Sequence, residues 1–351
     1  MALLAAMRSQ WPKSQLHLVV KPGPATIFHA APTVDRLIPW TPINDGSALK
    51  RQVLTARQAL RRFRLRGYDL AVLPRWDFDD TPVRYLAAAS RARSIVGFAP
   101  VPEREPVWLR DQAQLLTDVL PRGTAPLLTV RQLRRVAEYL GLTWSDDRHP
   151  PIGTGLFDSA DLQLATRTAG LPDDAGTIVG VGIGARDGKR QWPVSTILET
   201  LTRVGETRRI SVQILGGDVD RARSGELAEL LRRNGITVAD LAGSLTLSES
   251  AAAISRCDLF LGNDSGLQHI ASSLDIPTLV VTCHPATGSV WSDNAPERFG
   301  PWSQRSRVIQ PASPADGCTD ECVAREPHCI LAVQAADAIP ALHELLSGPT
   351  D

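Results

Sequence analysis

The 351-residue sequence has no surplus of charge, because 38 Lys and Arg residues balance 38 Asp and Glu residues. Proteins that bind nucleic acid normally carry a basic excess, so we expect no nucleic-acid partner. The sequence also lacks an apolar run near the about 20 residues that a membrane-spanning helix needs. Residues 1–8 are too short and wrongly flanked for a secretory signal. We therefore expect a cytoplasmic protein.

Cysteine is scarce, with five residues unevenly spread, which excludes a framework of disulfides. Cys257 and Cys283 stand beside apolar runs and are interpreted as buried thiols. Four further residues are close enough in sequence to supply zinc ligands: Cys318, Cys322, His328 and Cys329. Their spacing is not that of a standard zinc finger, and adjacent His and Cys residues are awkward for tetrahedral chelation. We therefore predict no metal site, with this cluster as the alternative.

The length favours two domains, since one hydrophobic core rarely serves so long a chain. Helical and strand patterns alternate throughout, which indicates an α/β fold with mostly parallel strands. We predict a Rossmann-like N-terminal domain over 1–150, a linker over 151–176 and a second Rossmann-like domain over 177–332. A last amphipathic helix over 333–351 is expected to pack back on the N-terminal domain.

The most informative stretch, 257–285, has the pattern of a buried strand, a polar turn, a helix and a second buried strand. Ligands bind at the carboxyl ends of strands in such sheets. The predicted helix would offer free N–H groups near Ser265, and Gly266 would let a phosphate approach the backbone. Asp264 precedes this turn, and His269 lies on the helix face that carries Ser265.

A plainer interpretation of the same turn is structural. Ser265 and Gln268 have the spacing of a capping box, in which the two side chains satisfy the first turn of the helix. Asp264 and His269 have no such explanation, because a short helix between two apolar strands has little structural need for an imidazole.

Two other loops follow predicted strands. The loop over 182–193 combines Gly184 with three basic residues, Arg186, Lys189 and Arg190, that could neutralise a phosphate. Its glycines lack the dinucleotide-binding spacing, and a solvated basic loop is the alternative. Asp218 or Asp220, after the next strand, could accept hydrogen bonds from ribose or sugar hydroxyls, or could cap the following helix.

The N-terminal half carries a strongly basic predicted helix over 48–66. Its arginines form either a solvated face or a patch for an acidic acceptor or an anionic membrane surface: Arg57, Arg61, Arg62, Arg64 and Arg66. Asp77 follows a predicted strand in the same half. It could line an acceptor site, although the residues after it also suit a plain helix start.

The segment 263–277 resembles the D-[ST]-G-x-x-H-x-A signature of glycosyltransferase family 9, the ADP-heptose:lipopolysaccharide heptosyltransferases. The basic loop ending in Trp192-Pro193, the Gly-Gly turn over 215–220, residues 297–302 and the cysteine cluster resemble further family segments in the same order. The resemblance is good over 177–331 and weaker over 15–140.

The resemblance implies a GT-B architecture, with two Rossmann-like domains facing each other across a cleft. It implies inverting, metal-independent transfer of a heptose from ADP-heptose to a lipid-linked saccharide, with no cofactor and with peripheral contact at the inner membrane surface. By motif, the residues that would contact the donor's diphosphate and sugar are Asp264, Ser265, Gly266 and His269. Lys189 or Arg190, in the loop that begins at Gly184, would neutralise the leaving diphosphate, and Asp220 would hold the ribose hydroxyls.

The sequence departs from the family at its start. Members open with a strand and a Gly-Asp turn whose aspartate is the expected general base, and neither precedes the first helix here. We therefore expect that strand and base upstream of Met1, with Asp77 as a substitute base. Two alternatives stay open: a non-catalytic nucleotide-sugar-binding homologue that lacks the base, and a nucleotide-sugar epimerase on the same fold.

Overall fold

The computed structural model describes residues 2–43, 47–63, 67–76, 83–100, 111–122, 128–144 and 155–347. The chain divides into two compact units. The first comprises Met1–Pro22 and Asp35–Ser145, and the second comprises Gly23–Val34 and Asp146–Asp351.

The described strands of the first unit form two parallel sheets. One pairs β1 (His17–Val20) with β2 (Arg36–Pro39), and the other has the order β3 (Leu70–Leu73), β4 (Ser94–Phe98), β5 (Asp118–Leu120). The described helices of the first unit are α1 (Ala2–Gln10), α3 (Ala48–Phe63), α4 (Val83–Ala89) and α5 (Thr129–Tyr139), and the short α2 (Pro22–Ala25) leads into the segment Gly23–Val34 of the second unit.

The largest core of this unit lies where α1 and α5 meet the three-stranded sheet. Leu3, Phe98 and Val136 are buried in it. Trp76, 2% exposed, also belongs to this core, and its indole N–H donates to the carbonyl of Arg122 at 2.8 Å. The apolar faces of helix and sheet thus bury each other, as the alternating pattern of the sequence predicts.

The sequence pattern around 106–120 predicts one helix in the first unit. Over the described residues 111–120 this prediction is wrong, because a 3₁₀ turn at Asp111–Leu115 leads into β5. Asp118 accepts from Ser94 at 2.6 Å beside the β4–β5 pairing, and this pairing outweighs local helix propensity. Asp77 lies outside the described residues, and the strand expected upstream of Met1 stays a prediction.

The second unit is built on a six-stranded parallel sheet in the order β11-β10-β9-β6-β7-β8. Its strands are β6 (Thr177–Gly182), β7 (Ile210–Leu215), β8 (Thr237–Asp240), β9 (Leu259–Asn263), β10 (Thr278–Val281) and β11 (Ser306–Ile309). Its helices are α6 (Ser159–Ala169), α7 (Val194–Thr207), α8 (Arg221–Arg233), α9 (Leu247–Ile254), α10 (Gly266–Ser273), α11 (Pro296–Phe299) and α12 (Ala335–Ser347).

The strand order contains a reversal that positions the site. From β6 the chain moves to β7 and β8 on one side, and then to β9, β10 and β11 on the other. Strands β7, β9 and β10 are buried along their whole length, as strands covered by helices on both faces must be. The carboxyl ends of β6 and β9 therefore form the switch point at which such sheets bind ligands.

The edges of the second unit differ from the sequence expectation. The predicted linker over 151–176 contains α6. Asp158 and Asp161 form a capping box at the N-terminus of this helix, which packs on α9 of the same unit. Helix α12 packs against α7, β10 and β11 of its own unit, with Ala338 and Leu342 buried there, and its packing on the N-terminal domain stays a prediction. The apolar face of α12 is thus buried against elements of the second unit.

Candidate functional site

The candidate site lies at the carboxyl ends of β6, β7 and β9, where the sequence places its polar residues. Asn263, the last residue of β9, is 2% exposed and joins this strand to the loop after β6. Its Oδ1 accepts from the backbone N–H of Trp192 at 2.9 Å, and its Nδ2 donates to the carbonyl of Ile183 at 2.9 Å. One amide therefore fixes both ends of the basic loop beside the switch point.

Asp264 and Arg190 form an ion pair across this point, with 3.4 Å between Oδ2 and Nη1. Arg190 also donates to the side-chain oxygen of Asn294. Burial raises the pKa of Asp264 above its usual value of 3.8, and the Arg190 guanidinium opposes that rise. The structure thus brings together two residues that the sequence places 74 positions apart, and it keeps a carboxylate in a confined polar site.

The other basic residues of the loop are placed differently. The ammonium of Lys189 donates to the carbonyl of Cys322 at 2.7 Å, and its backbone N–H donates to the carbonyl of Arg325 at 3.1 Å. Arg186 is exposed and has no ion-pair partner among the described residues. The cation that is most available to an incoming anion is therefore Arg186, which the sequence ranks no higher than its neighbours.

The turn into α10 does not form the capping box that Ser265 and Gln268 could make. Ser265 occupies the N-cap position without a side-chain cap hydrogen bond, and Gln268 is buried with Oε1 unpartnered. A Cβ at Gly266 would meet nothing within 4 Å, so space is open over the backbone there. The turn therefore keeps free donors and room, as an anion site at a helix N-terminus requires.

His269 lies on the first turn of α10. Burial of the surrounding chain lowers its pKa below the usual 6.5, although the residue itself is exposed to solvent. Because its pKa lies below 6.5, the imidazole is neutral at pH 7. A neutral ring can donate one hydrogen bond and accept another.

Asp220 and Gly184 contact each other at the edge of the site. Asp220 is 8% exposed, and its Oδ2 accepts from the backbone N–H of Gly217 at 2.8 Å. A Cβ on Gly184 would lie 2.6 Å from the Asp220 carboxyl carbon, so only glycine fits. The alternative that Asp220 caps α8 is not realised, since its side chain makes no cap hydrogen bond to that helix.

Sequence reasoning missed the loop that follows β10. Asn294, 6% exposed, supplies the oxygen that accepts from Arg190. Arg298, 1% exposed, donates to the carbonyls of Trp291 at 2.6 Å and Ser292 at 3.2 Å and so holds that loop in shape. No spacing signal marks Asn294, because it acts through a contact with Arg190, 104 positions earlier in the chain.

The cysteine cluster is assembled in space as well as in sequence. The ligand atoms of Cys318, Cys322, His328 and Cys329 all lie within 4.8 Å of one another. Spacing alone predicted an awkward arrangement of ligands, and the structure shows that the four ligand atoms converge.

In the part of the chain that is described, no helix is both long enough and apolar enough to span a membrane.

Comparison with known proteins follows the same residues. The family model for glycosyltransferase family 9 (heptosyltransferase) matches residues 157–326, which include the whole candidate site. A lipooligosaccharide heptosyltransferase 2 of Campylobacter jejuni subsp. jejuni serotype O:6 is 27% identical over 105 residues, 30% of this chain and 33% of that protein. The chain therefore spans about a third of the length of this curated relative in that alignment.

Solved structures agree over a longer range. E. coli ADP-heptose lps heptosyltransferase II has a TM-score of 0.68 at 17% identity, covering 99% of this chain and 93% of that chain. E. coli heptosyltransferase WaaC with ADP gives 0.68 at 17% identity, covering 98% and 94%. A family 9 glycosyl transferase from Veillonella parvula DSM 2008 gives 0.67 at 17% identity, covering 99% and 93%. These matches confirm the predicted α/β fold of GT-B type with two Rossmann-like domains.

Proposed function

This chain belongs to glycosyltransferase family 9, and from that premise we propose that it transfers a heptose from an ADP-sugar to a saccharide acceptor of lipopolysaccharide type. The transfer inverts the anomeric centre, and neither a metal ion nor a cofactor takes part in the chemistry. The observation that carries the proposal is the Arg190–Asp264 pair at the switch point, held in place by Asn263.

The charges at the site suit this reaction. Departure of a nucleoside diphosphate builds negative charge, and fixed donors aimed at that charge lower the barrier. Lys189, which the Cys322 carbonyl holds, and the N–H groups after Ser265 are such donors, and the exposed Arg186 adds positive charge in the same loop as Lys189. The sugar becomes cationic in the transition state, as in glycoside hydrolysis, and Asp264 is the buried carboxylate that stands against it. Burial raises the pKa of that carboxyl, and the Arg190 guanidinium acts against the rise and so favours the ionised form.

Roles for two further residues follow from their positions. Asp220 and its Gly217–Asp218 turn lie at the end of β7, next to β6, where the ribose hydroxyls of a bound ADP would reach them. His269, neutral and open to solvent, would hydrogen-bond the diphosphate or the sugar from the first turn of α10.

The test is a panel of nucleotide sugars: ADP-heptose, another ADP-sugar, UDP-glucose and GDP-mannose. The midpoint temperature of thermal unfolding of the full chain should rise when ADP-heptose is added. A ligand at 100 times its Kd adds about 2.7 kcal/mol to the free energy of unfolding. Asp264→Ala should lose the response. ADP release with a saccharide acceptor then shows transfer, whereas binding without ADP release would favour the non-catalytic homologue. Epimer formed from donor alone would favour the epimerase, and no response to any ADP-sugar would overturn the proposal.

We also propose that α3 carries the protein to an anionic membrane surface at the cytoplasmic face, where a lipid-linked acceptor would lie. Leu49, Val53 and Leu60 are exposed at 69%, 45% and 58%. They share one helix face with the exposed Arg57 and Arg61. An apolar stripe beside basic residues is typical of helices that lie in a membrane interface.

Sedimentation with vesicles tests this contact. The full chain should pellet with phosphatidylglycerol vesicles and remain in the supernatant with phosphatidylcholine. Leu49→Ser with Leu60→Ser should abolish pelleting without changing ADP-sugar binding, since both side chains are exposed on the first unit. Leu164→Ser, an exposed leucine on α6 of the second unit, is the matched control. Equal pelleting with neutral vesicles would rule out this role for α3.

A further inference from the structure

We propose that Cys318, Cys322, His328 and Cys329 form a tetrahedral zinc site that is structural and separate from the chemistry of transfer. The family match ends at residue 326, so it includes the first two of these residues and excludes the last two. The inference therefore depends on the geometry of the chain itself.

The distances fit one metal ion. Nδ1 of His328 lies 3.5 Å from Sγ of Cys318 and 3.7 Å from Sγ of Cys329. With Zn–S near 2.3 Å and Zn–N near 2.0–2.1 Å, tetrahedral ligands are about 3.5 Å apart for sulfur and nitrogen and about 3.8 Å for two sulfurs. All four ligand atoms lie within 4.8 Å of one another, so modest side-chain rotation completes the site.

The surroundings are those of a closed structural site. Cys322 and Cys329 are completely buried, and Cys318 is 9% exposed. None of the five cysteines is in a disulfide. Three thiols and one imidazole in a site with no open position are the donor set of a structural zinc site, whereas a catalytic zinc keeps a position for water.

Among the described residues, a second group that could hold a metal lacks these properties. His29, Asp158 and Asp161 also converge, but their residues are largely exposed. Both carboxylates are occupied by the capping box of α6, where Asp158 accepts from the N–H groups of Ala160 and Asp161. Helix capping accounts for that group, and nothing comparable accounts for the cysteine cluster.

The proposed zinc would also shape the basic loop of the candidate site. The segment it closes accepts from Lys189 twice, at the carbonyls of Cys322 and Arg325. A Cβ on Gly188 would lie 2.7 Å from the Arg325 carbonyl, so the two backbones touch. Just beyond the cluster, the carbonyl of Val333 accepts from the Trp192 indole at 2.8 Å. A metal that orders this segment thereby orders the loop.

Metal analysis of the purified full chain is the first test. We expect about one zinc per chain, and Cys322→Ser, which removes one of the four ligands, should lose its zinc in a chelator wash that the wild-type chain withstands. Cys257→Ala is the matched control, because Cys257 is a buried free thiol outside the cluster, and it should retain the zinc. Zinc content unchanged by Cys322→Ser, or a disulfide among these cysteines in a metal-free chain, would overturn the proposal.

A second measurement covers the case in which Cys322→Ser does not fold. Cobalt exchanged into the wild-type chain should give the intense visible bands of a tetrahedral thiolate complex, and octahedral cobalt spectra would overturn the assignment. Stoichiometric iron in place of zinc would overturn the choice of metal. Hydrogen exchange at the Lys189 amide should accelerate when zinc is chelated, and this readout is independent of the proposed transferase activity.

Discussion

Arg190 reaches from the loop after β6 to the carboxylate of Asp264 at the end of β9, with 3.4 Å between Nη1 and Oδ2. Both side chains are largely buried, so the Asp264 carboxylate depends on Arg190 for compensation, whereas Arg190 also lies 3.9 Å from a carboxylate oxygen of Asp187. This ion pair joins the loop after β6 to the end of β9 in one site.

Replacing the cation should therefore cost more than replacing the anion. Arg190→Gln leaves the Asp264 carboxylate buried and uncompensated, and the unfolding free energy should fall by about 1–3 kcal/mol. Asp264→Asn removes the buried charge itself and should cost less. Urea denaturation of both variants and of the double variant measures their coupling.

An exposed pair provides the control for this cycle. Arg233 and Glu229 form an ion pair on the surface of α8, and such pairs contribute little to stability. Arg233→Gln should leave the unfolding transition in place. If Arg190→Gln behaved the same way, the Arg190–Asp264 pair would not have the compensating role described here.

Asn263→Ala should loosen the basic loop. The substitution leaves the Trp192 N–H and the Ile183 carbonyl without their buried partner, which should cost about 2–4 kcal/mol for two lost hydrogen bonds. Hydrogen exchange at the Trp192 amide should accelerate with it. Asn234→Ala at the end of α8 is the control, because that amide is exposed and bonds only within its own helix. If the Trp192 amide kept its protection from hydrogen exchange in Asn263→Ala, the Asn263 side chain would not be what holds the basic loop.

Two glycine substitutions should have opposite effects. Gly184→Ala forces a methyl group against the Asp220 carboxylate, so stability and ADP-sugar binding should both fall. Gly225→Ala places its methyl group in open space on α8 and should add about 0.5–1 kcal/mol, because alanine favours helix over the unfolded chain. Thermal unfolding of the two variants distinguishes them, and a stabilised Gly184→Ala would show that the Asp220 contact is not tight.

His284 should make the protein sensitive to acid. It is 1% exposed, and burial lowers its pKa below 6.5, with Glu297 and Glu321 opposing the change. The unfolded chain therefore binds a proton before the folded one does as the pH falls. This contribution to stability is complete above pH 6.5 and is lost as the pH falls below that value.

Denaturant unfolding at a series of pH values between 7 and 4 checks the sign. His284→Gln should flatten the loss of stability over this range. His269 acts in the same direction as His284, so the flattening will be partial. A slope that steepens in His284→Gln would show that the imidazole is not held neutral by burial.

Local sequence signals were sufficient for most of the second unit. Apolar runs predict the strands at β6, β7 and β9 because a buried parallel strand needs no partner-specific side chain. Thr246 and Glu249 are three positions apart, the spacing that indicates a capping box, and the structure forms that box. The Ser265–Gln268 box has the same spacing and does not form, because Gln268 is turned into the interior.

The sequence by itself determined the fold class, the order of elements and the strand ends at which polar residues gather, because these follow from periodicity along the chain. Only the tertiary structure decided which of those residues meet. It paired Arg190 with Asp264, placed the Asn263 side chain where it accepts from the Trp192 N–H, and brought His328 together with three thiols. Such contacts depend on strand order and on loop paths between residues far apart in sequence, and no local pattern records either.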